Sequence, residues 1–211
     1  MSTRHLSDTT AAEAADAEPG SDETPRSIAL VGLMGAGKSS VGARVAAALG
    51  WTFVDSDSEI EEAAKMSIPD IFDAYGEAEF RALERRVIAR LLSDEPIVLA
   101  TGGGAFMHPE TRALMKQKAV TVWLRADIEV LLKRVGRRND RPLLAGDDPR
   151  AVMERLMAER HPIYAEADLT VESHDGPQAD TVRAVLDALG EAGLDAAALG
   201  GGAGLGDLAQ P

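Results

Sequence analysis

Gly32-Leu33-Met34-Gly35-Ala36-Gly37-Lys38-Ser39 is the stretch whose residue types and spacing do the most recognisable chemistry. It reads G-x-x-x-x-G-K-S. In such a loop the backbone N–H groups curl around an anion, and the following helix turns its positive N-terminal end to the same point. Lys38 then reaches the β- and γ-phosphates, and the Ser39 hydroxyl ligates Mg²⁺. The phosphate-binding set expected from the sequence is Gly35, Ala36, Gly37, Lys38, Ser39 and Ser40.

Other residues have weaker signals. Asp55 and Asp57 are two apart after an apolar run, and in an extended segment such residues point the same way. One carboxylate can then serve Mg²⁺ through water, while the other orients or deprotonates an attacking hydroxyl. Both would equally suit a helix start. Gly102-Gly103-Gly104 offers bare backbone for close packing of a ligand, or an ordinary turn. Arg81 follows Glu77 by four residues, which fits a solvated ion pair, and Arg160 lies beside Glu159. Spacing alone gives neither arginine a role. Lys133, Arg134, Arg137, Arg138 and Arg141 form a local cationic field, and the last three fall in an irregular segment bounded by Gly136 and Gly146 that suits a mobile lid over phosphates.

Alternating strands and helices must position these residues. Apolar runs at 27–31, 51–54, 96–100, 119–124 and 169–171 predict five strands. Helical spacing covers 40–49, 58–65, 68–74, 77–92, 109–116, 127–134 with Asp127 as cap, 148–164 and 178–189. The expected fold is α/β: a three-layer arrangement with a five-stranded parallel sheet flanked by helices. The loops at 32–38, 55–57 and 102–104 all follow strands, so they should meet at the carboxyl edge of the sheet, where ligands bind.

The chain has 211 residues, 22 Lys and Arg against 35 Asp and Glu, a formal charge of −13 and no cysteine. Disulfides and cysteine-based metal sites are excluded. The acidic balance argues against a nucleic-acid surface. No apolar run reaches transmembrane length, and the first 25 residues lack a signal-peptide core, so a cytoplasmic protein without membrane or nucleic-acid partners is expected. A monomer is the expected state. Residues 1–25 are too polar to build a core and read as a disordered acidic tail, and residues 193–211 as a flexible Gly/Ala-rich one. The domain is expected over residues 26–192, with the lid at about 135–147.

Together these segments resemble the shikimate kinase family. The loop at 32–39, the Asp55-Ser56-Asp57 pair, Gly76-Glu77-Ala78-Glu79-Phe80-Arg81, the glycine triplet, Arg141-Pro142-Leu143-Leu144 and Arg160-His161-Pro162-Ile163-Tyr164 are similar to its motifs. The resemblance spans residues 28–189. It implies transfer of the γ-phosphoryl of MgATP to the 3-hydroxyl of shikimate. It implies catalytic roles for Lys38, Asp57 and Arg141. Shikimate would be held by Asp57, Arg81, Arg160 and the backbone of Gly102, Gly103 and Gly104. Arg134 would pack on adenine, Arg141 would close with the lid onto the γ-phosphate, and Ser39 and Asp55 would serve Mg²⁺. Tyr164-Ala165-Glu166-Ala167-Asp168 is one residue shorter than the family's Y-x-E-x-A-D. Two alternatives stay open: a kinase for another polyol acid such as gluconate, or a nucleotide-binding regulator without activity.

Overall fold

The computed structural model describes residues 26–136 and 148–194. Five strands form one parallel sheet: β1 (Ser27–Val31), β2 (Thr52–Asp55), β3 (Ile97–Ala100), β4 (Ala119–Arg125) and β5 (Leu169–Glu172), in the order β2-β3-β1-β4-β5. β1 lies at the centre, with Leu30 level with Ala100 of β3 and Val31 level with Trp123 of β4. Helices cover both faces of a parallel sheet, so central strands read as unbroken apolar runs. Every residue of β1 and β3 is accordingly buried, whereas the edge strands β2 and β5 are partly exposed.

The helices are α1 (Lys38–Leu49), α2 (Ser56–Ala64), α3 (Ile68–Leu91), α4 (Pro109–Lys118), α5 (Ile128–Val135), α6 (Pro149–Tyr164) and α7 (Gln178–Glu191). After β1 the chain runs to the edge as β2 and returns to place β3 between β2 and β1, and after β3 it crosses to β4 and β5 on the other side. The strand order thus reverses around β1, and the crevice at its carboxyl end is where such folds bind ligands. The phosphate loop leaves β1 at this place.

Most apolar side chains share one core around the sheet. A second, smaller cluster of Ile60, Ile71, Phe80 and Val87 joins α2 to α3. This pair of helices stands beside the sheet as a small platform. The two helices expected at 68–74 and 77–92 are one run, broken at Gly76, whose φ of 79° and ψ of 173° are not helical.

The structure corrects three local expectations. β2 starts and ends one residue later than expected, and α2 begins at once with Ser56. Asp57 is therefore in the first turn of a helix and not in an extended segment, so the alternation argument for Asp55 and Asp57 fails. Asp127 stands at the N-cap of α5 but makes no side-chain capping bond. α4 runs on to Lys118, directly into β4. The segment with the shortened motif is framework: Glu166 pairs with Arg112, and Asp168 accepts from the Thr121 N–H and hydroxyl. The expected tail at 1–25, residues 195–211 of the tail expected at 193–211, residues 137–147 of the lid expected at about 135–147, and Arg141 lie outside the described residues; Leu194, expected in the tail, donates its N–H to the Leu189 carbonyl and packs against the core.

Candidate active site

The phosphate loop turns from β1 into α1 with Gly37 as N-cap at φ 102°, a left-handed conformation that a side chain would strain. That geometry presents the first N–H groups of α1 to whatever lies in the loop. The Lys38 ammonium donates to the carbonyls of Gly32 at 2.8 Å and Leu33 at 3.0 Å, folding across the loop. The Ser40 hydroxyl donates to the Gly37 carbonyl and accepts from Gln178 of α7, so its side chain braces the loop from outside.

Ser39 donates its hydroxyl to Asp55 Oδ2 at 2.6 Å, and Asp55 Oδ1 accepts from the Asp57 N–H at 3.0 Å. One carboxylate thus caps α2 and reaches the loop serine. Of the two readings of Asp55 offered by the sequence, the helix cap is the one this contact shows. A hydroxyl and a carboxylate oxygen side by side at a phosphate loop suit a hard divalent cation such as Mg²⁺.

Arg134, at the end of α5, clasps the same loop. Its Nη1 donates to the carbonyls of Gly35 and Ala36, both at 3.3 Å, and to Ser173 Oγ at 2.8 Å; Nη2 donates to the His174 carbonyl. Ser173 in turn donates to the Ala36 carbonyl. Ser173 was not singled out by the sequence. A lone serine after a short strand has no signal until the fold places it against the loop.

Beyond the loop opens a cleft of about 670 Å³ between the α2–α3 platform and the sheet edge. Asp57, Arg81, Glu84, the three glycines and Arg160 line it together. This convergence joins residues from α2, α3, the loop after β3, and α6. The Asp57 carboxylate lies so close to Gly102 that a Cβ there would sit 2.6 Å from Asp57 Oδ1; a Cβ on Gly104 would meet the Arg81 guanidinium at 2.5 Å. The triplet is glycine because charged side chains press against its backbone. Burial pushes the Asp57 carboxyl above its usual range, the charge of Asp55 adds to this, and Lys38 opposes it.

Arg81 pairs with Glu77 only loosely, at 3.5 Å, and Glu77 is 72% exposed. Its close partner is Glu84 at 2.7 Å, whose side chain is 1% exposed. Sequence reasoning missed Glu84. A signal was present: Phe80, Glu84 and Val87 share the buried face of α3, and an acid among apolar residues needs a partner. Glu84 Oε1 has no hydrogen-bond partner among the described residues. Desolvation raises the pKa of Glu84, while the Arg81 guanidinium pulls it down. On the far wall, Arg160 Nη1 donates to the Gly103 carbonyl at 2.9 Å.

A five-stranded parallel sheet, a lysine-bearing phosphate loop at its switch point and an adjoining polar cleft define a P-loop kinase that acts on a small molecule. The family model described as shikimate kinase matches residues 34–190. A shikimate kinase of Nitrobacter winogradskyi is 61% identical over 152 residues, covering 72% of this chain and 71% of that one. One from Bradyrhizobium diazoefficiens is 56% identical over 164 residues, 78% and 79% of the two chains. The solved shikimate kinase of Acinetobacter baumannii in complex with shikimate superposes with a TM-score of 0.77 at 40% identity, covering 82% of this chain and 97% of its own. The chain belongs to the shikimate kinase family. A gluconokinase from Sinorhizobium meliloti, at TM-score 0.56 and 23% identity, shares the fold alone. The function is therefore that of an ATP-dependent shikimate kinase. The gluconate reading loses its support, and so does the reading as an inactive regulator. Among the described residues no helix is long and apolar enough to cross a membrane.

Proposed function

We propose that this protein transfers the γ-phosphoryl of ATP to the 3-hydroxyl of shikimate, with the phosphates on the loop after β1 and the acceptor in the cleft beside it. The single observation that carries the proposal is the convergence of Asp57, Arg81, Arg160 and the glycine triplet on one cleft bordering the phosphate loop. Phosphoryl transfer asks a protein mainly for positioning and charge neutralisation. The N–H groups at the start of α1 hold the phosphate oxygens. Lys38 exchanges its two carbonyl partners for the phosphate charge and follows that charge into the transition state. Ser39 and Asp55 would hold Mg²⁺, and the ion would supply charge neutralisation to the phosphates.

On the acceptor side, Arg81 and Arg160 hold the shikimate carboxylate by charge-assisted hydrogen bonds. Glu84 keeps the Arg81 fork in one orientation. Asp57 accepts a hydrogen bond from the reacting hydroxyl, and its raised pKa suits a group that takes a proton. Arg134 keeps the phosphate loop in shape and offers its guanidinium face to the base. Arg141, outside the described residues, is assigned to the γ-phosphate on resemblance.

The test is an assay of ADP release from MgATP with and without shikimate. Release should depend on shikimate and yield one phosphoshikimate per ADP. Release that ignores shikimate would contradict the proposal.

A further inference from the structure

The motif that contains Arg160 also contains Tyr164, the last residue of α6, one helical turn further on and on the same face. Tyr164 is fully buried. Its ring packs against Trp123 of β4, with centroids 6.0 Å apart, so the phenol cannot swing. Its hydroxyl is the one polar atom of its side chain, and it donates to the Gly103 carbonyl at 2.5 Å. Arg160 Nη1 donates to the same oxygen. A carbonyl oxygen has two lone pairs, so it can accept both bonds.

The consequence reaches the cleft. Gly103 has no side chain to hold it, and an untethered glycine pair has the widest backbone freedom of any dipeptide. The two bonds fix the direction of its carbonyl. In a planar trans peptide the following N–H points the opposite way. The Gly104 N–H is thereby aimed away from Tyr164, and Gly104 lines the cleft. The shared acceptor also fixes Nη1 of Arg160, which leaves the other edge of that guanidinium for an anion. A Cβ on Gly103 would lie 3.3 Å from Arg160 Nη1 and 3.8 Å from the Tyr164 hydroxyl, so the three groups are already in contact. Burial raises the Tyr164 pKa, so the hydroxyl stays a donor.

We infer that Tyr164 is a positioning residue for the acceptor: through the Gly103 carbonyl it sets the Gly103–Gly104 peptide and the Arg160 guanidinium against the substrate carboxylate. The inference rests on the shikimate-binding reading above. It goes beyond that reading by giving a core residue a selective effect on one substrate. If Tyr164 merely completed the core, its loss would change stability and leave the two substrates equally affected.

The test is Tyr164→Phe in the full chain. Arg160 still satisfies the Gly103 carbonyl in this variant, so the melting temperature should move by no more than ~4 °C. KM for shikimate should rise ~5-fold or more, with KM for MgATP within ~2-fold of the parent. Combined with Arg160→Lys, the rise should be smaller than the product of the two single rises, because both act through one carbonyl. A shikimate KM within ~2-fold of the parent, an equal rise for MgATP, or rises that multiply would each overturn the inference. A parent that does not phosphorylate shikimate would instead overturn the underlying reading. A second measurement needs no variant of Tyr164. The chain has two tyrosines, Tyr75 and Tyr164, and both can be replaced by fluorotyrosine. The fluorine resonance assigned to Tyr164, by its survival in Tyr75→Phe, should shift when shikimate binds. A resonance that stays fixed would again overturn the inference.

Discussion

The phosphate loop and the acceptor cleft adjoin, yet they are built on opposite principles. The loop is one contiguous segment whose working groups are backbone N–H donors, stiffened from behind by Arg134, Ser173 and Gln178. The cleft is assembled from α2, α3, the loop after β3, and α6, and its working groups are charged side chains held by other side chains or by bare glycine backbone. Backbone donors recognise any phosphate chain, so under the proposed function the loop would set the reaction class. A planar carboxylate is recognised by forked guanidinium groups, so the cleft would set the acceptor. Charge-bearing side chains in a cleft must be oriented by neighbours, and this explains the buried Glu84 beside Arg81.

The largest effect should come from breaking the generic half. Lys38→Ala removes the charge that follows the γ-phosphoryl. Turnover should fall at least ~100-fold, a loss of about 2.7 kcal/mol of transition-state stabilisation or more, for any acceptor offered. A near-normal kcat would remove the phosphate loop from the mechanism.

Breaking the specific half should look different. Arg81→Lys keeps a charge but loses the fork. KM for shikimate should rise ~10-fold or more, about 1.4 kcal/mol, while the affinity for ATP stays as it was. Steady-state kinetics with each substrate varied in turn separates the two halves. An equal rise in both constants would mean that loop and cleft are not independent.

A smaller effect should sharpen the contrast. Glu84→Gln keeps the shape of the side chain and removes its charge. Arg81 is 18% exposed and opens on the cleft, so the variant does not strand a cation in the core. Shikimate kcat/KM should fall ~5-fold with melting temperature within ~4 °C. The pH dependence has a definite sign. A carboxyl with a raised pKa binds more protons in the folded than in the unfolded state. Its contribution to stability is therefore present at low pH and is lost as pH rises from the ordinary glutamate range through the raised value. Glu84→Gln should flatten that slope, and Asp57, shifted in the same direction, should leave part of it in place. Denaturant melts across that pH range check this; an unchanged slope would mean that Glu84 is not the group responsible.

The same contrast explains what could be read without coordinates. The loop at 32–39 is contiguous and its glycines, lysine and serine stand at fixed spacing, so the sequence displays it whole. The sheet was legible because its buried strands are unbroken apolar runs. The cleft was legible only through a family likeness, since Arg81 and Arg160 by spacing alone are ordinary helix-surface residues. Asp55 and Asp57 were found for an inexact reason: a one-residue shift in β2 put Asp57 on a helix, where strand alternation does not apply. Ser173 was hidden because its partners are distant in the chain, whereas Glu84 was visible only as an acid on the apolar face of α3.

The central claim is that the cleft selects a carboxylate. The direct measurement compares kcat/KM for shikimate with that for its neutral alcohol, in which the carboxylate is reduced, using the parent and Arg81→Lys. The parent should disfavour the alcohol ~100-fold or more, because two guanidinium groups lose their partner, and Arg81→Lys should narrow that gap. If the parent phosphorylates the alcohol as well as shikimate, the guanidinium groups do not read the carboxylate, and the account of the cleft is wrong.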